Sequence, residues 1–287
     1  FPIVIKADGL ALGKGVLIPQ NLQEAEAAVK SIMEDKVFGA SGNEIVIEEF
    51  LAGPEVSVLA FTDGTAIAPM VSSMDHKRAG EGDTGLNTGG MGTIAPNPCY
   101  TPEMAQICMD TIFLPTLSAM RAEGCPFKGC LYFGLMLTPK GPKVIEYNCR
   151  FGDPETQVVL PLLKTDLLTV MRAVENETLS DLTVEWRSGA AACVILASGG
   201  YPGHYEKGKA ITIPAALPEN VTVYHAGDAL TAEGTLVTSG GRVLGVTAAA
   251  DTLEQALQSA YAAADTIDFQ GKYLRRDIGR RALAAMH

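Results

Sequence analysis

The stretch IKADGLALGKGV, residues 5–16, connects an apolar run to a basic, glycine-rich loop. The run predicts a buried strand that ends in Lys6. The loop residues of interest are Gly9, Gly13, Lys14 and Gly15. Glycines let backbone N–H groups approach phosphate oxygens because no Cβ atom stands in the way, and the second lysine adds positive charge. The pattern predicts phosphate binding, although an ordinary turn between a strand and a helix would also explain the glycines.

Two common phosphate-binding motifs do not fit this loop. A Walker A loop has about four residues between its glycines, and its lysine is followed by Ser or Thr. The segment GLALGKG has a shorter spacing, and Gly15 stands where the hydroxyl would be. The dinucleotide fingerprint GxGxxG is also absent from the loop. The loop therefore indicates another class of nucleotide site.

Length and composition limit the class of protein. The chain has 287 residues, a formal net charge of -11 and 47% apolar residues. This length suffices for two domains, and the acidic balance argues against nucleic acid or anionic membranes as partners. No apolar stretch is long enough to span a membrane, and cysteines without CxxC spacing favour reduced thiols in the cytoplasm. Because Phe1 opens an apolar strand, we expect the chain to begin inside a larger protein.

Apolar periodicity and turn residues predict a mixed α+β chain. The polar segment 73–98 is predicted to be a long loop. After Trp186, short strands separated by Gly and Pro predict a further domain. Helices are predicted at 21–36 with Asn21 as N-cap, 101–124 with a kink at Pro115, 154–176 and 251–267. Strands are predicted at 1–6 and 44–51, with a hairpin at 55–73 and two strands around a Pro- and Gly-containing turn over 130–148. The expected domains are 1–62, 63–186 and 187–287.

Two further motifs carry polar groups at strand ends. One is the segment EIVIEEFLAGPEVSV (44–58), whose predicted strand ends near two acids, Glu48 and Glu49. These acids could equally be ordinary exposed residues at a strand end. In KVIEYNCRFGDPETQ (143–157), Glu146 and Asn148 share a face because residues two apart on a strand point the same way. A carboxylate beside an amide oxygen suits Mg²⁺. A polar stripe that faces solvent would give the same sequence pattern. Continued alternation would point Cys149 into the core and return Arg150 to the ligand face.

These three motifs, in this order, resemble the ATP-grasp family. The resemblance implies two α+β lobes that clasp ATP, followed by a small, mostly-β C-terminal domain. It implies that Lys6 reaches the α- and β-phosphates and that Lys14 covers the phosphates from the loop. It also implies adenine contacts from the strand end and ribose contacts from Glu55. The implied ATP-binding residues are Lys6, Gly9, Gly13, Lys14, Gly15, Glu48, Glu49, Phe50, Leu51 and Glu55.

The resemblance also implies a divalent metal, Mg²⁺ or Mn²⁺, held by Glu146 and Asn148. Family members often have a second glutamate on the neighbouring strand. That position falls near Gly134, which has no carboxylate, so the number of metal ions stays open. Arg150 is implied to stabilise charge on the transferred phosphoryl group.

Two longer segments, DHKRAGEGDTGLNTGGMG (75–92) and RFGDPETQ (150–157), resemble the glycinamide ribonucleotide synthetases, which are phosphoribosylamine–glycine ligases. SGGYPG (198–203) and YLRRDIGRRAL (273–283) continue the resemblance. It implies that ATP activates glycine as glycyl phosphate, which the amine of phosphoribosylamine then attacks, in cytoplasmic purine biosynthesis. It also implies that a glycine-rich N-terminal domain packs on this chain.

The same resemblance assigns roles near the substrates. Lys77 is implied to contact the transferred phosphoryl group, with Arg150 and Asp153 as further catalytic residues. Asp153 and Glu155 are implied to receive the substrate amine or orient its hydroxyls. His76 is either a general base or an orienting residue. The glycine end of the site is implied to be shaped by Asp83, Asn87, Thr88, Gly89 and Gly90.

Two alternatives differ in class from this ligase. The chain could be a truncated nucleotide-binding fragment without turnover. It could also be another ATP-grasp carboxylate–amine ligase or a carboxylase, which would share the lysine loop and the metal strand but lack the 75–92 motif.

Overall fold

The computed structural model describes residues 1–9, 11 and 15–286, so Gly13 and Lys14 of the predicted phosphate loop lie outside the described residues. The chain folds into two compact units, Phe1–Gly53 and Pro54–His287. Within the described ranges, no helix combines the length and the apolar character that crossing a bilayer requires.

The first unit is a three-stranded antiparallel sheet with one helix against it. Asn21 caps the helix as predicted, because its side chain accepts a hydrogen bond from the Glu24 amide at 3.0 Å. Ala25, Ala28 and Ile32 are buried on the helix face that shares a core with Ile5. The elements are β1 (Ile3–Ala7), β2 (Val16–Leu17), α1 (Leu22–Met33) and β3 (Ile45–Glu49), and the strand order is β2-β1-β3.

The second unit contains all remaining elements. Its strands are β4 (Glu55–Thr62), β5 (Ile67–Pro69), β6 (Met74–Asp75), β7 (Arg78–Gly80), β8 (Thr84–Asn87), β9 (Gly92–Ala95), β10 (Gly129–Thr138), β11 (Gly141–Asn148), β12 (Ala190–Ser198), β13 (Val221–His225), β14 (Asp228–Leu230), β15 (Leu236–Thr238), β16 (Arg242–Ala250) and β17 (Lys272–Tyr273). Its helices are α2 (Pro102–Cys108), α3 (Leu114–Ala122), α4 (Thr156–Val159), α5 (Leu167–Glu175), α6 (Leu253–Thr266) and α7 (Arg280–Ala285).

Two larger sheets form the framework of this unit. One is antiparallel with the order β11-β10-β4-β5. Phe113, in the turn between α2 and α3, packs on Phe133 of β10, and the two ring centroids are 4.3 Å apart. The other has the order β13-β16-β12-β9-β6, with α6 against it. Its central strand β12 is buried along its whole length. The predicted hairpin at 55–73 is confirmed, and β4 also pairs with β10, which places residues 55–62 in the second unit.

The prediction of one long loop at 73–98 is wrong, because this segment contains β6, β7, β8 and β9. Strand β9 pairs with β12, and Gly92 permits their close approach, since a Cβ atom there would lie 2.7 Å from the Cys193 carbonyl oxygen. The later sheet therefore recruits two strands from the earlier segment. The proposed division at residue 187 stays a prediction, although this sheet crosses it.

Three other local predictions differ from the structure in part or in full. The helix predicted at 101–124 forms, but a π-helical turn, Met109–Phe113, precedes Pro115. The single helix predicted at 154–176 is wrong, because α4 ends in a 3₁₀ turn and α5 begins anew with Asp166 as its N-cap. Cys149 is exposed rather than directed into the core. Strand β11 ends at Asn148, so the alternation of faces does not continue beyond it.

Candidate active site

Within the first unit, Lys6 and Glu48 contact each other. Lys6 lies on β1 and Glu48 on β3, and Nζ is 2.7 Å from Oε2. Gly9 is tightly enclosed, since a Cβ atom there would lie 2.7 Å from the Ser41 hydroxyl oxygen. Phe50 is 42% exposed just beyond the end of β3. The ATP-binding roles of these residues, and of Gly15, Glu49 and Leu51, stay predictions.

In the second unit, Lys77 is surrounded by carboxylates. It lies between β6 and β7, and its Nζ is 2.9 Å from Oε2 of Glu55. Burial alone would lower the pKa of Lys77, but the charges of Glu55 and Asp75 outweigh burial and raise that pKa above its ordinary value. Lys77 is therefore a permanent cation at neutral pH. Glu55, predicted to bind ribose, is its ion-pair partner here.

Half-buried Asp75 and buried Glu155 form an acidic pair beside this lysine. Glu155 is 4% exposed, and its Oε1 accepts hydrogen bonds from the Tyr132 hydroxyl at 3.1 Å and the Ser57 hydroxyl at 3.4 Å. Burial raises the pKa of Glu155, and burial together with the charge of Glu155 raises the pKa of Asp75 well above its ordinary range. A carboxylate whose pKa is raised is a stronger base than an ordinary carboxylate.

Glu146 and Asn148 share one face of β11. The register opposes Glu146 to Gly134 and Asn148 to Tyr132, and the bulge in the pairing lies before both. Tyr147 points to the opposite face, where its ring packs against Phe133 at 5.5 Å. The Glu146 carboxylate also contributes to the raised pKa of Lys77, so both groups belong to one electrostatic cluster.

Gly134 makes room for Glu146, since a Cβ atom at Gly134 would lie 3.0 Å from Cγ of Glu146. Among the described residues, no group of three or more His, Cys, Asp or Glu side chains could hold a metal ion. A carboxylate and an amide oxygen nonetheless fit Mg²⁺ when substrate phosphates and water complete its coordination. Glu146 and Asn148 thus suit a metal ion that is bound together with a nucleotide.

Asp153 is held by Arg242 from β16, a residue that sequence reasoning missed. The guanidinium donates to Asp153 Oδ2 and to the Asp153 carbonyl, both at 2.8 Å, and to the Gly89 carbonyl at 2.6 Å. Oδ1 of Asp153 accepts from Gln157 at 2.7 Å. Arg242 thus fixes two predicted substrate segments together. Arg242 lies in the segment GGRVLGVTA (240–248), which also resembles the synthetase family, but that resemblance assigns the arginine no role.

The predicted glycine-binding segment folds around the backbone of Lys77. The Thr88 amide and hydroxyl both donate to the Lys77 carbonyl at 2.8 Å, and the Gly90 amide donates to the Thr88 hydroxyl at 2.9 Å. Gly90 has φ +111, and a Cβ atom there would lie 2.6 Å from Oδ1 of Asp75. Asn87 ends β8, paired with Arg78. The structure therefore brings Thr88, Gly89 and Gly90 to the Lys77 cluster.

Asp83 and Arg150 make their contacts with groups other than Lys77. Both carboxylate oxygens of Asp83 are engaged, Oδ1 by Arg275 and Oδ2 by Arg281, each at 3.0 Å. Arg150 is exposed, and its Nη1 donates to the Phe151 carbonyl at 2.9 Å. The substrate role of Asp83 and the phosphoryl role of Arg150 stay predictions.

His76 is a structural residue in this arrangement. It is 1% exposed, and its Nε2 accepts from the Gly279 amide at 3.1 Å. Since an amide can only donate, the proton resides on Nδ1, which donates to the Gly92 carbonyl at 3.1 Å. Burial, reinforced by the charge of Arg275, lowers the pKa of His76 to about 4. Of the two predicted roles, the orienting one fits, because no ring nitrogen is available to act as a base.

Two family models match this chain, and the first of them covers the Lys77 cluster. Residues 1–156 match the family described as phosphoribosylglycinamide synthetase, ATP-grasp (A) domain, and residues 191–281 match its C domain. The chain belongs to the phosphoribosylglycinamide synthetase family. The predicted α+β ATP-grasp fold and the predicted family are thereby confirmed.

Relatives of the synthetase family agree over nearly the whole chain. A phosphoribosylamine–glycine ligase from Nostoc sp. is 51% identical over 98% of this chain, which spans 66% of that relative. A bifunctional purine biosynthetic protein from Pichia angusta is also 51% identical over 98% of the chain, which spans 36% of its length. The chain thus spans about two thirds or less of these relatives.

Two solved structures resemble this chain, one in sequence and fold and the other in fold alone. The crystal structure of phosphoribosylamine–glycine ligase from Thermotoga maritima has a TM-score of 0.87 at 41% identity and covers 96% of this chain and 68% of its own. The biotin carboxylase domain of Hydrogenobacter thermophilus 2-oxoglutarate carboxylase, solved with MgADP, has a TM-score of 0.67 at 17% identity, over 96% of this chain and 58% of its own. The second likeness shows the fold alone.

Proposed function

We propose that this chain is the catalytic part of an ATP-dependent ligase that joins glycine to 5-phosphoribosylamine. The products are glycinamide ribonucleotide, ADP and phosphate. The observation that carries the proposal is the folding of the family-specific 75–92 segment around Lys77, beside the acids of β11 and the 150–157 loop. The names of the relatives support the same substrates.

The chemistry explains why the site needs charged groups rather than a protein nucleophile. A carboxylate does not form an amide with an amine at neutral pH, because oxide is a poor leaving group. Transfer of the γ-phosphoryl group to the glycine carboxylate gives glycyl phosphate and ADP. The amine nitrogen then attacks the acyl carbon, phosphate departs, and that nitrogen loses one proton as the amide forms. Positioning and charge neutralisation are therefore the tasks of the protein.

Lys77 suits the first step because it stays positively charged throughout the neutral range. It neutralises charge on the transferred phosphoryl group after exchanging its contact with Glu55 for the phosphate. Glu146 and Asn148 would hold Mg²⁺, which supplies further charge neutralisation at the phosphates when bound. Mg²⁺ is the metal proposed for this site, and Mn²⁺ is the alternative.

Glu155 suits the second step. Its raised pKa makes it a better proton acceptor near neutral pH than an ordinary carboxylate, and the Tyr132 and Ser57 hydroxyls fix its orientation. We assign to it the proton that the attacking amine must lose. Asp153, held by Arg242, orients the substrate hydroxyls.

The same proposal includes the setting of the reaction. Glycine and phosphoribosylamine are the substrates, the reaction takes place in the cytoplasm, and an N-terminal domain packs on this chain. The length of the relatives supports the further domain, since this chain spans 66% of the Nostoc ligase.

The test uses the protein expressed from its complete reading frame, with ATP, Mg²⁺, glycine and freshly generated phosphoribosylamine. ADP and phosphate should appear in equal amounts and only when both substrates are present. Lys77→Met should remove turnover while the fold persists, and exposed Lys140→Met serves as the matched control. Turnover that requires another acid in place of glycine would refute the substrate assignment.

A second candidate is nucleotide binding without turnover by the 287-residue chain alone. The limited share of the relatives' length that the chain spans favours it. Calorimetric titration of the 287-residue chain with ATP, compared with turnover by the longer protein, separates the two. ATP binding without turnover by the 287-residue chain, while the longer protein turns over, would establish this second candidate.

A further inference from the structure

Both chain neighbours of Lys77 are held by one short segment near the C-terminus, residues 273–279. On one side, the Gly279 amide donates to Nε2 of His76. On the other side, Nη1 of Arg275 donates to the Arg78 carbonyl at 3.0 Å. The His76 side chain and the Arg78 carbonyl, one on each side of Lys77, are therefore held by residues about 200 positions away.

Arg275 is the centre of this attachment. It is 1% exposed, and its guanidinium makes a two-pronged contact with Asp277, with Nε to Oδ1 and Nη2 to Oδ2, both at 2.8 Å. Its Nη1 also donates to Oδ1 of Asp83, at the tip of the β7–β8 hairpin, at 3.0 Å. One planar group thus joins the C-terminal segment to both the base and the tip of the hairpin.

Further hydrogen bonds connect the same two segments. Oδ2 of Asp277 accepts from the Gly82 amide at 2.8 Å, and the Tyr273 hydroxyl donates to the Ala79 carbonyl at 2.7 Å. Burial alone would raise the pKa of Asp277, but Arg275 outweighs burial and lowers that pKa to about 2. Asp277 therefore stays charged and paired across the neutral range.

Stability alone does not account for a buried guanidinium. Removing charges from water costs free energy that an ion pair recovers only in part, and apolar residues of similar size often stabilise a fold as well or better. A planar guanidinium does offer fixed directions for several hydrogen bonds at once. Its value here is in the geometry that it imposes on the hairpin.

We propose that Arg275 is a positioning residue that sets the location of the Lys77 ammonium through the backbone of the β7–β8 hairpin. The proposal rests on the function proposed for Lys77. It predicts that loosening Arg275 slows the chemical step while ATP still binds, because Lys77 keeps its charge but loses its fixed location.

The test compares Arg275→Lys with Arg276→Gln in the protein expressed from its complete reading frame. A lysine keeps the positive charge but cannot reach Asp277, Asp83 and the Arg78 carbonyl together. Arg276→Gln is the matched control, because the Arg276 side chain pairs with Asp265 on the surface. Arg275→Lys should lower kcat by about tenfold or more, with KM for ATP changed by less than about twofold. Arg276→Gln should leave both unchanged.

Hydrogen–deuterium exchange gives a readout that does not depend on turnover. In Arg275→Lys, amides of residues 78–87 should exchange faster, while those of the buried strand β12 should not change. If Arg275→Lys folds poorly, Tyr273→Phe tests the same coupling, since it removes one hydroxyl contact and leaves no buried charge unpaired. It should give a smaller fall in kcat and faster exchange in the same hairpin.

Several outcomes would overturn the proposal. One is an unchanged kcat in folded Arg275→Lys, and another is a loss of kcat that matches the loss of folded protein. The proposal would also be contradicted if amides 78–87 exchanged equally fast in Arg275→Lys and in the unsubstituted protein. If the unsubstituted protein shows no glycine-dependent turnover, the proposed ligase function fails, and the exchange experiment alone decides whether Arg275 holds the hairpin.

Discussion

Protonation of His76 should destabilise the second unit as the pH falls below about 6.5. In the folded chain the pKa of His76 is lowered to about 4, because burial and the charge of Arg275 disfavour the imidazolium. In the unfolded chain the pKa is about 6.5. The unfolded state therefore binds a proton over the interval between these values, and stability present above pH 6.5 is lost towards pH 4.

The magnitude follows from the two pKa values. Proton linkage gives a loss of about 2 kcal/mol in the free energy of unfolding between about pH 7 and pH 5, and about 3 kcal/mol by pH 4. The structural reason is that a proton on Nε2 of His76 would remove the acceptor of the Gly279 amide. This interval lies above the usual range of most carboxylates, so His76 contributes a separable part of the acid response.

Urea unfolding at several pH values measures this effect. The single tryptophan, Trp186, packs against the core of the same unit and reports its unfolding by fluorescence. The matched variant is His76→Gln, whose side chain can accept from the Gly279 amide but does not titrate. The unsubstituted protein should lose about 2 kcal/mol more than His76→Gln between pH 7 and pH 5. Parallel losses in the two proteins would refute the reasoning.

Three substitutions test other parts of the structure. Glu146→Gln should raise the Mg²⁺ concentration needed for turnover while the urea midpoint stays unchanged; an unaltered Mg²⁺ requirement would contradict the metal role. Gly90→Ala should destabilise by about 1–3 kcal/mol and reduce turnover, because Pro154 and Asp75 leave no space for a Cβ atom. Gly141→Ala, with a similar φ of +104 but open surroundings, should cost less in the same urea titration. Phe113→Ala should cost about 3–5 kcal/mol, and a loss below about 1 kcal/mol would contradict its place in the core.

Local signals predicted those parts of the fold whose causes lie close together in the chain. Asn21 caps α1 through an amide three residues away, and the 55–73 hairpin turns within a few residues. The motif on β11 likewise depended on the alternation of one strand, which placed Glu146 and Asn148 on a common face. The same rule failed for Cys149, because the sequence did not reveal that the strand ends at Asn148.

The parts that sequence reasoning missed depend on partners far along the chain. Strand β9 forms because it pairs with β12, the buried central strand about 100 residues later, whereas the polar, glycine-rich 73–98 segment that contains β9 suggested a loop. Arg242 and Arg275 act on backbone carbonyls of the 78–90 segment, and a carbonyl acceptor leaves no mark in the sequence. A motif can therefore indicate that Lys77 contacts a phosphoryl group, but not which residues hold it there. Since catalysis by positioning depends on those supports, substitutions at Arg275 test the mechanism more sharply than substitutions at Lys77, which remove the reacting charge and its location together.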